Sequence, residues 1–325
     1  MDSLIDSYIQ YISTVRRYSP RTQAVYRDVL DEFAAYCSDD GDLVQALTPT
    51  SVRNYEVHLL DDRGLGNRTV NLHISVLSGF CRYLMMQGQL TSNPVRLVTR
   101  PKTEKRLPEF YRDDAMERYF SDTEYAVSND SIDLLCSLRP EDRDLSVEMY
   151  ERLLRRMIIS FLHGTGIRRA ELASLDVRSM DTSRRMLTVR GKGDKVREVP
   201  LVPRLISETE RYLKAAEAYF GGAPAAGDPL LRTPSGRRLY PVYIDRAVKQ
   251  ELGSVPGITG RKSPHVLRHT LATELLNDGS DLNSIKELLG HSSLAATQVY
   301  THNSVERLKS VYEKAHPRAK DPEDD

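Results

Sequence analysis

Ser263-Pro264-His265-Val266-Leu267-Arg268-His269-Thr270 is followed by Leu288-Leu289-Gly290-His291-Ser292-Ser293 and then by Val299-Tyr300-Thr301-His302. Ser263 offers an N-cap and Pro264 a first-turn proline, so a helix starts there. His265 and Arg268 stand three residues apart and share its face near the positive end of the helix dipole. Gly279 ends that helix and Gly290 ends the next, leaving His291 on a tight turn. Tyr300 comes nine residues later, on a further short helix. Taken singly, each residue has an ordinary structural explanation: a tyrosine among 17, a polar pair at a helix start, a turn histidine bonded to backbone.

Upstream lie two more stretches of the same kind. Thr165-Gly166-Ile167-Arg168-Arg169-Ala170-Glu171-Leu172 follows an apolar helix over residues 149–162. Met186-Leu187-Thr188-Val189 and Val196-Arg197-Glu198-Val199 are β-rich runs separated by Gly191-Lys192-Gly193-Asp194, which predicts a hairpin with Lys192 at its tip. The ordinary reading pairs Arg168 and Arg169 with Glu171 or water. Jointly, however, these residues match one chemistry. Attack on a phosphodiester builds charge on its non-bridging oxygens, and two guanidinium forks, Arg168 and Arg268, hold such oxygens better than ammonium groups do. Tyr300 can form a covalent phosphoryl intermediate. Lys192 can protonate a departing alkoxide, and His265 and His291 can donate to phosphate or relay the tyrosyl proton. Cationic side chains stabilise the charge directly, so this chemistry calls for no metal and no cofactor.

The rest of the chain frames this set. Leu4, Ile5, Tyr8, Ile9 and Ile12 recur at helical spacing. Ser19-Pro20 and Thr48-Pro49 are start signals ahead of apolar helical stretches, and Asn67 or Arg68 opens another that Gly88 and Asn93-Pro94 end. Residues 1–94 therefore predict a small helical bundle, and residues 95–108, basic and bounded by prolines, a linker without a core of its own. Residues 113–148 predict one helical segment followed by an excursion through Ser128-Asn129-Asp130 and Arg139-Pro140. From Leu205 the chain is helical again. The fold class is mainly α with a small β-sheet.

Composition excludes several classes. No apolar run approaches the ~18–20 residues of a membrane span. The start lacks a secretory signal pattern, and three widely spaced cysteines make neither a disulfide scaffold nor a zinc ribbon. The expected location is the cytoplasm. No Walker loop, His-Glu-x-x-His or Gly-x-Ser-x-Gly is present; His265 and His269 alone could share a metal, without a nearby third ligand. Lys and Arg number 46 and Asp and Glu also 46, but the balance is local. Residues 151–200 hold 12 basic against 6 acidic residues, residues 95–112 hold 6 against 2, and residues 113–148 hold 3 against 11. A basic surface for nucleic acid is compatible with this segregation, as are solvated faces.

The order Arg168, Lys192, His265-x-x-Arg268, His291, Tyr300 resembles the catalytic set of the tyrosine recombinases, the phage-integrase family, and within it the Xer site-specific recombinases. The Thr165–Leu172 box, the Gly191-Lys192-Gly193 hairpin, the Pro264–Thr273 and Leu288–His302 stretches and the His316-Pro317-Arg318-Ala319 ending all resemble that branch. The likeness covers nearly the whole chain. It implies a SAM-like core-binding domain over residues 1–94 and a catalytic domain over residues 109–325, closing as a C-shaped clamp on DNA. It further implies strand exchange through 3′-phosphotyrosyl linkages and a Holliday junction, without ATP, metal or cofactor, with Tyr300 as nucleophile. The implied partners are a double-stranded recombination site, a homo- or hetero-tetramer with a related recombinase on paired sites, and a septal DNA translocase; no membrane is implied. Val305, Leu308, Val311 and Tyr312 give a tail helix an apolar stripe, which either packs on its own core or, as the Xer resemblance implies, docks into the next protomer. The acidic 113–148 stretch is longer than in a minimal Xer protein, and no arm-site domain precedes the bundle, which favours a recombinase needing only core sites. A mobile-element integrase, a DNA invertase, or an inactive architectural DNA-binding protein are the alternatives.

Overall fold

The computed structural model describes residues 2–37, 42–103, 109–191 and 194–290. Its two compact units are Met1–Arg106 and Leu107–Asp325.

In the first unit, α1 (Asp2–Thr14) buries Ile5, Tyr8 and Ile12, the residues at helical spacing. α2 (Pro20–Tyr36) begins as its Ser-Pro pair dictates: the Ser19 hydroxyl accepts from the Thr22 amide at 3.2 Å. A short α3 (Leu43–Ala46), not anticipated from sequence, starts on an Asp42 cap, whose carboxylate accepts from the Val44 amide. α4 (Pro49–Val57) starts on Thr48, which accepts from the Ser51 amide at 3.1 Å, and runs into a π-helical turn, His58–Asp62. α5 (Asn67–Met86) buries Val70, Ile74, Leu77, Phe80 and Leu84. Inside this core the Tyr55 hydroxyl meets His73 Nδ1 at 3.0 Å, and burial lowers the imidazole pKa. The core continues past the end of α5. A 3-10 turn, Pro94–Leu97, buries Val95, and Val98 joins the same apolar cluster.

The second unit opens with α6 (Asp113–Asp122), the turn Glu124–Val127 and α7 (Asn129–Ser137). The acidic stretch is thus not an excursion. α6 buries Ala115, Met116, Tyr119 and Phe120 while Asp113, Asp114, Glu117 and Asp122 remain exposed. The Ser128 hydroxyl accepts from the Ser131 amide at 3.2 Å, which starts α7 and lets Ile132 and Leu135 face inward. Acidity here marks the solvent side of an amphipathic pair, and the spacing of the apolar residues decides the fold.

α8 (Arg143–Thr165) runs through the middle of this unit, buried along its second half from Met157 to Thr165. It even buries a charge. Arg156 is fully enclosed, paired with Glu208 at 3.2 Å, with its guanidinium 4.5 Å above the Phe120 ring. Ser160 donates to the same carboxylate at 2.9 Å. Removing one partner of a buried ion pair costs ~3–5 kcal/mol when the other is left unpaired; here Arg204 also reaches Glu208 at 3.3 Å. After α9 (Arg169–Ser174) come β1 (Met180–Asp181), β2 (Met186–Arg190) and β3 (Val196–Pro200), an antiparallel sheet in the order β1-β2-β3. The β2–β3 hairpin matches the expected runs, with Arg190 opposite Val196 and Val189 opposite Arg197. The two-residue edge β1 carried no sequence signal. α10 (Pro203–Phe220), α11 (Pro241–Glu251), α12 (Pro264–Asn277) and α13 (Leu282–Leu289) complete the described residues. Ser263 caps α12 as expected. Among the described residues no helix is long and apolar enough to cross a membrane.

The turn from α8 to α9 needs glycine on two counts. Gly166 has φ +60, and a Cβ there would stand 2.5 Å from Leu289 Cδ2 and 3.0 Å from Leu271 Cδ2. Gly221, which ends α10 with φ +74, has nothing within 4 Å. Gly166→Ala should therefore destabilise by about 2–4 kcal/mol, strain plus overpacking, and Gly221→Ala by about 1 kcal/mol from strain alone. Denaturant unfolding of the two variants checks the difference; equal losses would contradict the packing argument.

Candidate functional site

The site grows from four chain segments that meet at helix ends. Gly166 reverses the chain after α8, so that Arg168 sits in extended conformation immediately before α9. One turn later Glu171 is buried beneath it. Glu171 Oε2 accepts from the Arg168 amide at 2.8 Å, and Oε1 accepts from Arg168 Nη1 at 2.8 Å. From the other side Arg197 of β3 forks onto the same carboxylate, Nη1 to Oε1 at 3.0 Å and Nη2 to Oε2 at 2.9 Å. Arg197 Nε also donates to the Leu288 carbonyl at 3.3 Å.

Arg268, on the second turn of α12, is 4% exposed. Its Nη1 donates to the Gly166 carbonyl at 2.6 Å and its Nη2 to the Leu289 carbonyl. Arg168 Nη2 donates to the next carbonyl, Gly290, at 2.8 Å, and the Arg168 side chain remains 41% exposed. Both guanidiniums thus rest on the carbonyls that end α13, the negative pole of that helix.

Two guanidiniums grip one carboxylate with the charge of Arg268 close by, and the proton affinities register it. Burial alone would raise the Glu171 carboxyl. Hydrogen bonds and charge from Arg197 and Arg168 outweigh that and bring it from its ordinary 4.5 to about 2. Arg268 falls to about 10, chiefly because burial strips its water and also because Arg168 and Arg197 repel it. It stays protonated at neutral pH, a buried cation with an incomplete complement of negative charge. His265 is lowered by burial, then by His269, Arg268, Arg261 and Arg168, which favours the neutral imidazole. Its Nε2 lies 3.2 Å from His269 Nε2, the rings edge-on. No third metal ligand joins this pair among the described residues.

Of the six expected site residues, Arg168, His265 and Arg268 come together. Lys192, His291 and Tyr300 lie outside the described residues. The described chain neighbours of Lys192 and His291 are at the site nonetheless. Gly191 closes the β2–β3 strands by donating to the Lys195 carbonyl at 2.7 Å, and a Cβ on it would be 3.3 Å from Glu171 Oε1. Gly290, as above, accepts from Arg168.

A model of the phage integrase family matches residues 143–307, and a model of the phage integrase N-terminal SAM-like domain matches residues 5–88. The chain belongs to the phage integrase family. It is a tyrosine recombinase, of an enzyme class that cuts and rejoins DNA. Among its relatives is the tyrosine recombinase XerC of Chlorobaculum parvum, 32% identical over 97% of this chain and 94% of the relative. XerC of Mycobacterium sp. strain KMS is 34% identical over 98% of this chain and 100% of its own length. The fold is that of XerH bound to its palindromic substrate (TM-score 0.63, 20% identity, 95% of this chain and 84% of that one). It is likewise that of DNA-bound lambda integrase, residues 75–356 (TM-score 0.60, 18% identity, 91% and 94%).

Reading the sequence of this recombinase treats Glu171 only as an ordinary partner for the arginines and passes over Arg197. A signal for Arg197 existed: it alternates with Val199 on the inward face of β3, where an arginine must find a buried anion. Glu171 provides a pH test. Its pKa is depressed in the folded protein, so its stabilisation is full above the unfolded value near 4.5 and is lost as pH falls towards about 2. Glu171→Gln should lower stability at neutral pH, and the gap to the parent protein should narrow across that acidic window. Unfolding measured against pH in both proteins checks this; a constant gap would contradict the paired carboxylate.

Proposed function

We propose that this recombinase performs Xer-type strand exchange, and that Arg168 and Arg268 hold the non-bridging oxygens of the scissile phosphate. The observation that carries the reading is the convergence of both guanidiniums, with His265 beside them, on one patch of positive charge at the end of α13. An anion placed there exchanges carbonyl dipoles for a full charge. Tyr300 attacks the phosphorus, its proton passing to the His265–His291 pair. The bond to the 5′-oxygen breaks while Lys192 gives that oxygen a proton. The product is a 3′-phosphotyrosyl ester and a free 5′-hydroxyl. Attack by the 5′-hydroxyl of the partner duplex reverses the step, so the bond energy is conserved and neither ATP nor metal takes part.

Two duplexes, each cut on both strands, require four protomers, active two at a time through a Holliday junction. Both units would contact the duplex, and the apolar stripe of Val305, Leu308, Val311 and Tyr312, which lies outside the described residues, would carry the coupling between neighbours. The relatives named XerC support the Xer-type reading over a mobile-element role, and we read it as chromosome dimer resolution in the cytoplasm with a related recombinase and a septal DNA translocase as partners.

Tyr300→Phe should bind a palindromic core-site duplex as the parent does and form no covalent adduct on a nicked version of it. Peptide mapping of the parent's adduct should find DNA on Tyr300; DNA on another tyrosine would overturn the assignment. A substrate with sulfur at the 5′-bridging position has a leaving group that needs no proton. It should restore cleavage to Lys192→Ala and leave Arg168→Ala slow, whereas equal rescue of both would remove Lys192 as the acid.

A further inference from the structure

Glu171 presents an electrostatic difficulty. A carboxylate that bonds Arg168 by both its amide and its guanidinium orients that side chain well, but alone it also cancels the charge which the scissile phosphate needs. Arg197 lies on the far side of the same carboxylate with a bidentate grip, 3.0 and 2.9 Å, and is only 8% exposed. It is placed with little freedom. Its backbone pairs with Val189 in the hairpin, its Nε donates to the Leu288 carbonyl, and its side chain packs over Gly290, where an added Cβ would stand 3.2 Å from Cδ and Nε. It therefore does not share the exposed face on which Arg168 is 41% open to solvent.

We infer that Arg197 is a positioning residue for Arg168: it neutralises Glu171 from behind, so that Glu171 can fix the Arg168 fork without consuming its charge, and it ties that fork to the hairpin and to the end of α13. The geometry separates the two arginines by role. Arg168 meets the carboxylate through one nitrogen and turns the other towards the Gly290 carbonyl, while Arg197 spends both terminal nitrogens on the carboxylate. Loss of Arg197 would leave Arg168 as the one described guanidinium bonded to Glu171, pull the fork inward, and release Leu288–Gly290, the residues that lead into His291.

This inference rests on the reading that Arg168 holds the scissile phosphate. Its test is single-turnover adduct formation by the full chain at saturating protein, on a nicked palindromic duplex selected for binding to it. The scissile position carries either a phosphate or a methylphosphonate, which lacks the negative charge that calls for a guanidinium. Arg197→Gln should bind the duplex as the parent does, cleave the phosphate about tenfold or more slowly, and fall within about threefold of the parent on the methylphosphonate. Arg197→Lys, which restores the charge without the fork, should show the same dependence on substrate with a smaller loss. It carries the test if thermal melting shows the Gln variant unfolded. Unchanged cleavage of the phosphate, or equal loss on both substrates, would overturn the inference, the latter because a purely structural defect ignores substrate charge. Arg168→Ala run alongside separates the two levels. If it cleaves the phosphate normally, the reading of Arg168 fails. If it is slow and Arg197→Gln is not, only the role of Arg197 falls.

Discussion

The second unit is tied together at one buried carboxylate. An ionised Glu171 would be costly to enclose without partners, and the chain encloses it between two guanidiniums and a backbone amide. Each bond reaches a different part of the chain: Arg168 leads α9, Arg197 belongs to β3, and both arginines reach on to carbonyls at the end of α13. Segments far apart in sequence are thereby held together at one point, which lies beside the residues preceding Lys192 and His291.

The same arrangement leaves an excess of positive charge at the surface. Arg268 is nearly buried, yet among the described residues its terminal nitrogens meet backbone carbonyls and no carboxylate. Helix-end carbonyls carry partial negative charge, enough to orient a guanidinium but far short of neutralising it. On the proposed reading such a site is oriented before its anion arrives, the condition under which charge stabilisation contributes most to rate. The lowered proton affinity of Arg268 and the neutral bias of His265 are two expressions of that excess.

Much of this was legible in the sequence because local chemistry dictates it. Ser19, Thr48 and Ser263 cap the helices they precede, apolar spacing places the cores of both units, and Gly191–Asp194 marks the hairpin. The sequence groups Arg168, His265 and Arg268 by the phosphodiester chemistry such residues suit, and the structure brings the two arginines to the end of α13. What escaped depends on contacts between distant segments. The strand alternation puts Arg197 inward with Val199, but its partner is not legible until Glu171, twenty-six residues away, is placed beneath it. The acidic stretch misleads for a related reason: its many charges suggest a solvated excursion, while four apolar residues of α6 and the Ser128 cap fold it onto the core. The edge strand β1 has two residues and exists only because β2 is there to pair with it.

The central claim is that two guanidiniums, held in advance by helix-end carbonyls and Glu171, receive the scissile phosphate. A structure of the Tyr300→Phe full chain on uncut core-site DNA tests it most directly. The account predicts the non-bridging oxygens within hydrogen-bond reach of Arg168 and Arg268, Arg168 Nη2 moved from the Gly290 carbonyl to phosphate, and Glu171 still bridging Arg168 and Arg197. A scissile phosphate held by other side chains, with both guanidiniums still on their carbonyls, would contradict it.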